Sequence, residues 1–349
     1  MSTPVKPPFV TSRTLRTPDE LIAAGMATPA QKADLQAIAR QYATAIPPAF
    51  AELMHSLDDP IGMQVIPTTH ELVVTPEERS DPIGDNALSP VPGIVHRYAD
   101  RALLKPLLVC PLYCRFCFRR EHVGPDGGVL DDQALSRALD WLRTHEQIRE
   151  VILTGGDPLM LSPRRLGEIV QALSGMAHVT TIRVHTRVPV AAPERVTDAL
   201  LDALETDKAM WMAVHINHAR EMAPPARSCL RRIARRGIPL LGQSVLLRGV
   251  NDSEEALEAL FRTMVENRMR PYYLHQLDPA PGTAHFHVPV AQGQRLLAGL
   301  RGRVTGLAWP IYVLDIPGGY GKVPLGPDYI TGERQVRDPQ GSIHNLDRL

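Results

Sequence analysis

The chain has 349 residues, and its 38 Lys+Arg against 38 Asp+Glu leave a formal net charge of zero. That length suits one large α/β barrel domain with attachments. The balanced charge offers no general attraction to phosphate backbones or anionic membranes, so neither nucleic acid nor a membrane is expected as a partner. No run of roughly eighteen apolar residues occurs, and the N-terminus, MSTPVKPPFVTSRTLRTPDE, lacks the apolar stretch of a signal peptide. A soluble, cytoplasmic protein is the expectation.

Residues 18–56 are Ala/Leu-rich and interrupted at Pro47-Pro48, which predicts short helices joined by turns. From Asp58 to about Val95, prolines and acidic residues recur (DDPIG, TPEERSDPIGDNALSPVPG), a composition suited to an extended connection lying on another surface. A boundary is placed near residue 95. The expected organisation is a helical region and connection over 1–95, a core over 96–300, and a C-terminal segment and tail over 301–349.

Beyond residue 95, β-like runs alternate with helical segments. The strand candidates LLVC, VILTG, IRVHT, MAVHI, LGQSVLL and YYLHQL count six βα units, fewer than the eight of a closed barrel. The predicted fold is a partial (βα)6 TIM-like α/β barrel with an N-terminal helical region and a short C-terminal extension. Cys110, Gly155, His185, His215, Gln243 and His275 each close or follow a predicted strand, so they converge on one mouth. A further apolar segment, LAWPIYVLDIP, lies beyond Arg301, followed by PGGYGKVPLG.

Four cysteines cannot build a disulfide framework in a chain this long, and three cluster as Cys110-x3-Cys114-x2-Cys117. Three thiolates capping three corners of a [4Fe–4S] cube leave one iron open. A zinc knuckle is the competing reading, but zinc usually takes four ligands in paired Cys-x2-Cys units, and no second pair exists here. The spacing resembles that of radical S-adenosylmethionine enzymes, whose cofactor chelates the open iron. Phe116, between the second and third cysteines, matches an aromatic that packs by the adenine in those enzymes. Cys229 sits within a helical run and reads as an inert small hydrophobe.

Gly155-Gly156-Asp157-Pro158 ends a strand with two glycines, an aspartate N-cap and a first-turn proline. Backbone can approach a ligand closely there, although an ordinary strand-to-helix turn has the same letters. In radical enzymes such a pair meets the amino end of S-adenosylmethionine. His185, Arg187, His215, His218 and Gln243-Ser244 are hydrogen-bonding candidates for ribose, carboxylate or adenine. A second metal on His215-x2-His218 or His285-x-His287 lacks a partner at suitable spacing. Lys322, in PGGYGK, would by itself read as an exposed surface lysine, and Asp278 and Asp315 as turn residues before proline.

HRYADRALL, CPLYCRFCFRR, TGGDPL, HINH, QSVLLRGVND and DIPGGYGK, in this order, resemble the lysine 2,3-aminomutase family from about residue 58 to Pro324. The resemblance implies a radical that removes a Cβ hydrogen while pyridoxal 5′-phosphate carries the migrating amino group, turning L-lysine into β-lysine. It assigns Lys322 to pyridoxal 5′-phosphate, with Arg97, Tyr98 and Arg101 around that cofactor, and Gly155, Gly156, Asp157, His215 and Gln243 to cofactor contacts. Arg119 would hold the substrate carboxylate, and Asp278 and Asp315 the distal ammonium.

The resemblance also implies an amino-acid substrate, an electron donor of flavodoxin or ferredoxin type, and a homo-oligomer. His275 replaces a tyrosine usual in free-lysine enzymes and matches relatives acting on the lysine of elongation factor P, so that protein or its lysylating enzyme is an alternative partner. An aminomutase for another amino acid, an iron–sulfur scaffold, and a radical enzyme without pyridoxal phosphate stay open as alternatives.

Overall fold

A computed structural model describes residues 9–333 and 335–345. One sheet holds nine strands in chain order: β1 Ile94–Tyr98, β2 Arg101–Leu107, β3 Glu150–Gly155, β4 Thr181–Thr186, β5 Ala209–His215, β6 Leu240–Val245, β7 Met269–His275, β8 Ile311–Ile316 and β9 Gly321–Pro324. Strands β2 to β8 are parallel, and β1 and β9 turn back antiparallel on β2 and β8. The result is a nearly closed α/β barrel of the partial type the six βα units predict. Two features go beyond that count. The segment after Arg301 supplies β8 as a seventh parallel strand, and residues 94–98, astride the boundary placed near residue 95, pair with β2 as a hairpin.

Helices cover the outside because the sequence both caps and stripes them. Asp131, Ser162 and Ser253 accept backbone N–H groups at the starts of helices Asp132–Arg143, Pro163–Ser174 and Glu254–Glu266. Each helix then buries a stripe at helical spacing, such as Leu166, Ile169, Val170 and Leu173. Strand alternation does the complementary work: in β4, Ile182 and Val184 enter the helix-facing core, leaving Arg183 and His185 on the lumen side. Among the described residues, no helix is long and apolar enough to cross a membrane.

No ladder joins β1 to β9 among the described residues, so the barrel has a seam. Segment 81–88 lies across it. The Gly318 N–H donates to the Pro82 carbonyl at 3.0 Å, and Arg97 Nη2 donates to the Ile83 carbonyl at 2.5 Å. The helical preface packs elsewhere. Leu21, Ile46, Phe50, Met54 and Val65 form an apolar cluster with Leu112 of the cysteine loop, so this region roofs that loop.

The exits of β2 and β3 cross in close contact. A Cβ on Gly156 would stand 2.4 Å from the Val109 carbonyl oxygen and 2.5 Å from its nitrogen, and one on Gly155, whose φ is +111°, 2.5 Å from the Leu107 oxygen. Gly156→Ala is therefore expected to lose roughly 1–3 kcal/mol of stability by overpacking. Urea unfolding of the variant beside the parent measures this, and an unchanged midpoint refutes the crowding.

Candidate active site

A cavity of about 540 Å³ occupies the lumen. Cys110, Cys114 and Cys117 line it, as do Lys322, Asp278 and Asp315. Register explains the convergence. His215 lies opposite Gln243 in the β5–β6 ladder, Val245 opposite His275 in β6–β7, and Asp315 opposite Lys322 in β8–β9. Lys322 thus stands on a strand rather than in the glycine turn, and the hairpin turn delivers it beside Asp315.

The cysteine loop is held from both sides. Glu71, fully buried in the connection, receives Arg115 Nε at 3.0 Å on each oxygen and also pairs with Arg120. Burial pushes the Glu71 carboxyl up, but the two guanidiniums outweigh it and hold it below the usual range. Arg187 Nη1 lies 2.7 Å from Cys114 Sγ, while its Nη2 donates to Gln64 at 2.6 Å and to Glu221 at 3.0 Å. Phe116 is buried and stacks on His215 at 5.7 Å between centroids. Cys229 is buried in the outer core, away from this loop.

Asp157 is also fully engaged. One oxygen accepts Leu159 N–H and Thr186 Oγ1, the other Arg187 and Val188 N–H, which ties the end of β3 to the turn carrying Arg187. Gly155 and Gly156 line the cavity, yet the groups crowding them belong to the β2 exit, so the glycine pair serves chain crossing in its own right. Gln243 Nε2 lies 3.5 Å from His185 Nδ1, and His215 Nε2 3.2 Å from Asn217. Burial first, then nearby Arg183 and Lys322 for His185 and Arg187 for His215, lowers both imidazoles well below their ordinary range, so both are neutral. His218 instead accepts the Arg220 N–H as a helix cap.

A chain of alternating charges crosses the cavity wall. Arg119 places Nε and Nη2 at 2.7 Å from one oxygen of Asp85; Asp85 lies 3.6 Å from Arg97; Arg97 donates to Asp315 at 3.1 Å; and Lys322 Nζ meets Asp315 at 2.5 Å. The Tyr98 hydroxyl accepts the Lys322 backbone N–H at 2.8 Å, and the Arg101 guanidinium covers the Tyr98 ring at 3.8 Å. Asp278 has a buried oxygen with no partner, and burial followed by repulsion from Asp315 pushes its carboxyl up to about 7. His275 lies 3.9 Å from Asp315 and is neutral, its imidazole lowered to about 3 by burial and then by Lys322.

These residues fit the expected cofactors by chemistry. The three cysteines are free, and burial and then neighbouring acidic groups, the other thiols among them, raise Cys110 well above the ordinary thiol range; Cys117 rises to about 11 through burial and then Cys114. Cationic iron would relieve both effects. Among the described residues no group of three or more His, Cys, Asp or Glu is arranged to hold a metal ion, so the donor set, not its spacing, carries the fit. Buried atoms without partners, Arg97 Nε, Arg187 Nε, His185 Nε2 and Asp278 Oδ1, belong to cavity residues and leave hydrogen-bonding capacity for ligands.

Sequence reasoning passed over Gln64, Glu71, Asp85 and Glu221. For Glu71 and Asp85 the available signal was CRFCFRR itself, because three arginines in a loop tight enough to enclose a cluster require buried acids; Gln64 and Glu221, which meet Arg187, carried none.

Residues 104–261 match the model of the Radical SAM superfamily, which defines the class, and residues 297–338 match the Lysine-2,3-aminomutase model. An L-lysine 2,3-aminomutase of Fusobacterium nucleatum is 38% identical over 84% of this chain and 69% of its own length, and a glutamate 2,3-aminomutase of Clostridioides difficile is 33% identical over 88% and 73%. Among solved structures, Streptococcus suis SuiB bound to S-adenosylmethionine aligns with 63% of this chain and 51% of its own at a TM-score of 0.48 and 13% identity. The chain belongs to the lysine 2,3-aminomutase family of radical S-adenosylmethionine enzymes.

After anaerobic reconstitution with iron and sulfide, Cys110→Ala, Cys114→Ala and Cys117→Ala are each expected to lose the visible cluster absorbance and most bound iron. Cys229→Ala should retain both. Loss of iron from Cys229→Ala alone would reverse the assignment.

Proposed function

We propose that this chain moves the α-amino group of L-lysine to its β-carbon. The observation that carries the reading is the pair Asp278 and Asp315 beside Lys322 in the cavity lined by the three cysteines. When bound, the cluster with S-adenosylmethionine supplies a hydrogen-abstracting radical, and pyridoxal 5′-phosphate supplies a conjugated carbonyl that carries the migrating nitrogen.

The chain's own residues position, neutralise and shield. Cys110, Cys114 and Cys117 hold the cluster, with Arg187 beside Cys114. Gly155, Gly156, His215 and Gln243 shape the S-adenosylmethionine side, and Asp157 acts there by fixing the Arg187 turn. Lys322 carries the pyridoxal group, while Asp315 keeps its Nζ in place and Tyr98 its backbone. Arg101 and Arg97 suit phosphate through their forked donors. Arg119 takes the substrate carboxylate. Asp278 and Asp315 attract the distal ammonium, and two carboxylates facing one cation disfavour a substrate such as glutamate. The one-electron donor is of flavodoxin or ferredoxin type.

The decisive experiment supplies reconstituted protein with S-adenosylmethionine, dithionite and L-lysine and looks for β-lysine by mass spectrometry. Conversion is expected, and Lys322→Ala should lose both conversion and the absorbance of lysine-bound pyridoxal phosphate while keeping its iron. Cleavage of S-adenosylmethionine without β-lysine moves the substrate to lysine on elongation factor P or another amino acid.

Asp278 adds a pH dependence with a definite sign. Its carboxyl stays uncharged below about 7 and attracts the ammonium only once ionised, so lysine affinity should strengthen as pH rises from about 6 to about 8. Asp278→Asn should flatten that profile and weaken binding by roughly ten- to a hundredfold. Titrations across pH check both, and an equally steep profile in the variant removes Asp278 from the role.

A further inference from the structure

We propose that Lys105 is a positioning residue for the carboxylate end of the substrate, acting through the Arg119–Asp85 pair; this rests on the aminomutase reading above. Lys105 is the fifth residue of β2, and its side chain is only 15% exposed. Its Nζ lies 3.8 Å from Asp85 Oδ2, the same oxygen that receives both Arg119 nitrogens. Burial and then Arg119 lower the Lys105 ammonium from its ordinary range, opposed by Asp85 and Asp81.

The charge count gives Lys105 its function. Arg119 and Asp85 together are neutral, so the pair orients a guanidinium but attracts a second carboxylate only weakly. Arg97 corrects this only in part, because it lies 3.6 Å from Asp85 and is shared with Asp315 at 3.1 Å. Lys105 makes no other ion pair among the described residues, so it restores a net positive charge behind Arg119. Only Arg119 Nε and Nη2 are engaged by Asp85, and Nη1 makes no hydrogen bond to the described residues. Arg119 itself lines the cavity, whereas Lys105 stands behind it. Arg119 therefore touches the carboxylate, Asp85 aims the fork, and Lys105 cancels the charge that Asp85 brings. A unit charge removed at this distance in a partly buried site changes affinity by on the order of tenfold.

The test uses protein reconstituted with iron, sulfide and pyridoxal 5′-phosphate and compares the parent with Lys105→Met and Lys105→Arg. Dissociation constants for L-lysine and for L-lysinamide, which lacks the carboxylate, are read from pyridoxal absorbance without S-adenosylmethionine, and KM and kcat are then measured with it. Lys105→Met should weaken L-lysine roughly tenfold, in dissociation constant and KM alike. Lysinamide binding, kcat, iron and pyridoxal content should change by less than about twofold, and Lys105→Arg should recover most of the loss. Equal weakening of lysine and lysinamide, unchanged lysine binding, or loss of pyridoxal phosphate from Lys105→Met each overturns the proposal. A parent protein that does not prefer lysine to lysinamide overturns it too. A parent that prefers lysine yet forms no β-lysine counts against the aminomutase reading, and the paired dissociation constants then still decide Lys105.

Discussion

Five alternating charges, Arg119, Asp85, Arg97, Asp315 and Lys322, run across the seam, where no ladder joins β1 to β9 among the described residues. They come from the cysteine loop, the proline-rich connection, β1, β8 and β9. A seam closed by side chains rather than by a ladder leaves its charged groups at the lumen. Arg97, Arg119, Asp315 and Lys322 all line the cavity, so closure of the fold and formation of the site are one interaction. Such a chain is stable only as a whole, because removing one member leaves a buried neighbour uncompensated.

The cysteine loop obeys the same rule. Its arginines Arg115 and Arg120 meet Glu71, and Arg187 and Glu221 reach it from the opposite side through Gln64 and Cys114. A buried acid held by two guanidiniums has little freedom to move, and the loop backbone is fixed further by the Arg115 N–H donating to Gln64 and the Tyr113 N–H to Ala45. The N-terminal helices and the connection therefore form the roof of the cysteine loop.

The contrast between Asp278 and Asp315 shows how environment separates two similar residues. Asp315 meets Arg97 and Lys322 directly, whereas Asp278 keeps an unpartnered oxygen and is pushed toward neutrality. The letters around each, aspartate shortly before proline, are nearly the same. Only the neighbours differ.

Local chemistry was legible in the sequence. The cysteine spacing, the six alternating βα units, the glycines at the β3 exit and the Asp157 cap depend on residues close together in the chain, where geometry follows from spacing. The lysine after the glycine turn was legible only through resemblance, since its strand partner Asp315 is revealed by hairpin register. Hairpin β1–β2 was hidden because its turn lies within HRYADR, whose Arg97, Tyr98 and Arg101 line the cavity and break the expected apolar pattern. Asp85, Glu71, Glu221 and Lys105 gave no sign of their partners, because each finds a charge tens of residues or more away. Periodicity and cysteine spacing thus determined the barrel and its cysteine loop, while the tertiary structure alone decided which buried charges meet, because desolvation makes each of them depend on a partner that only folding brings within reach.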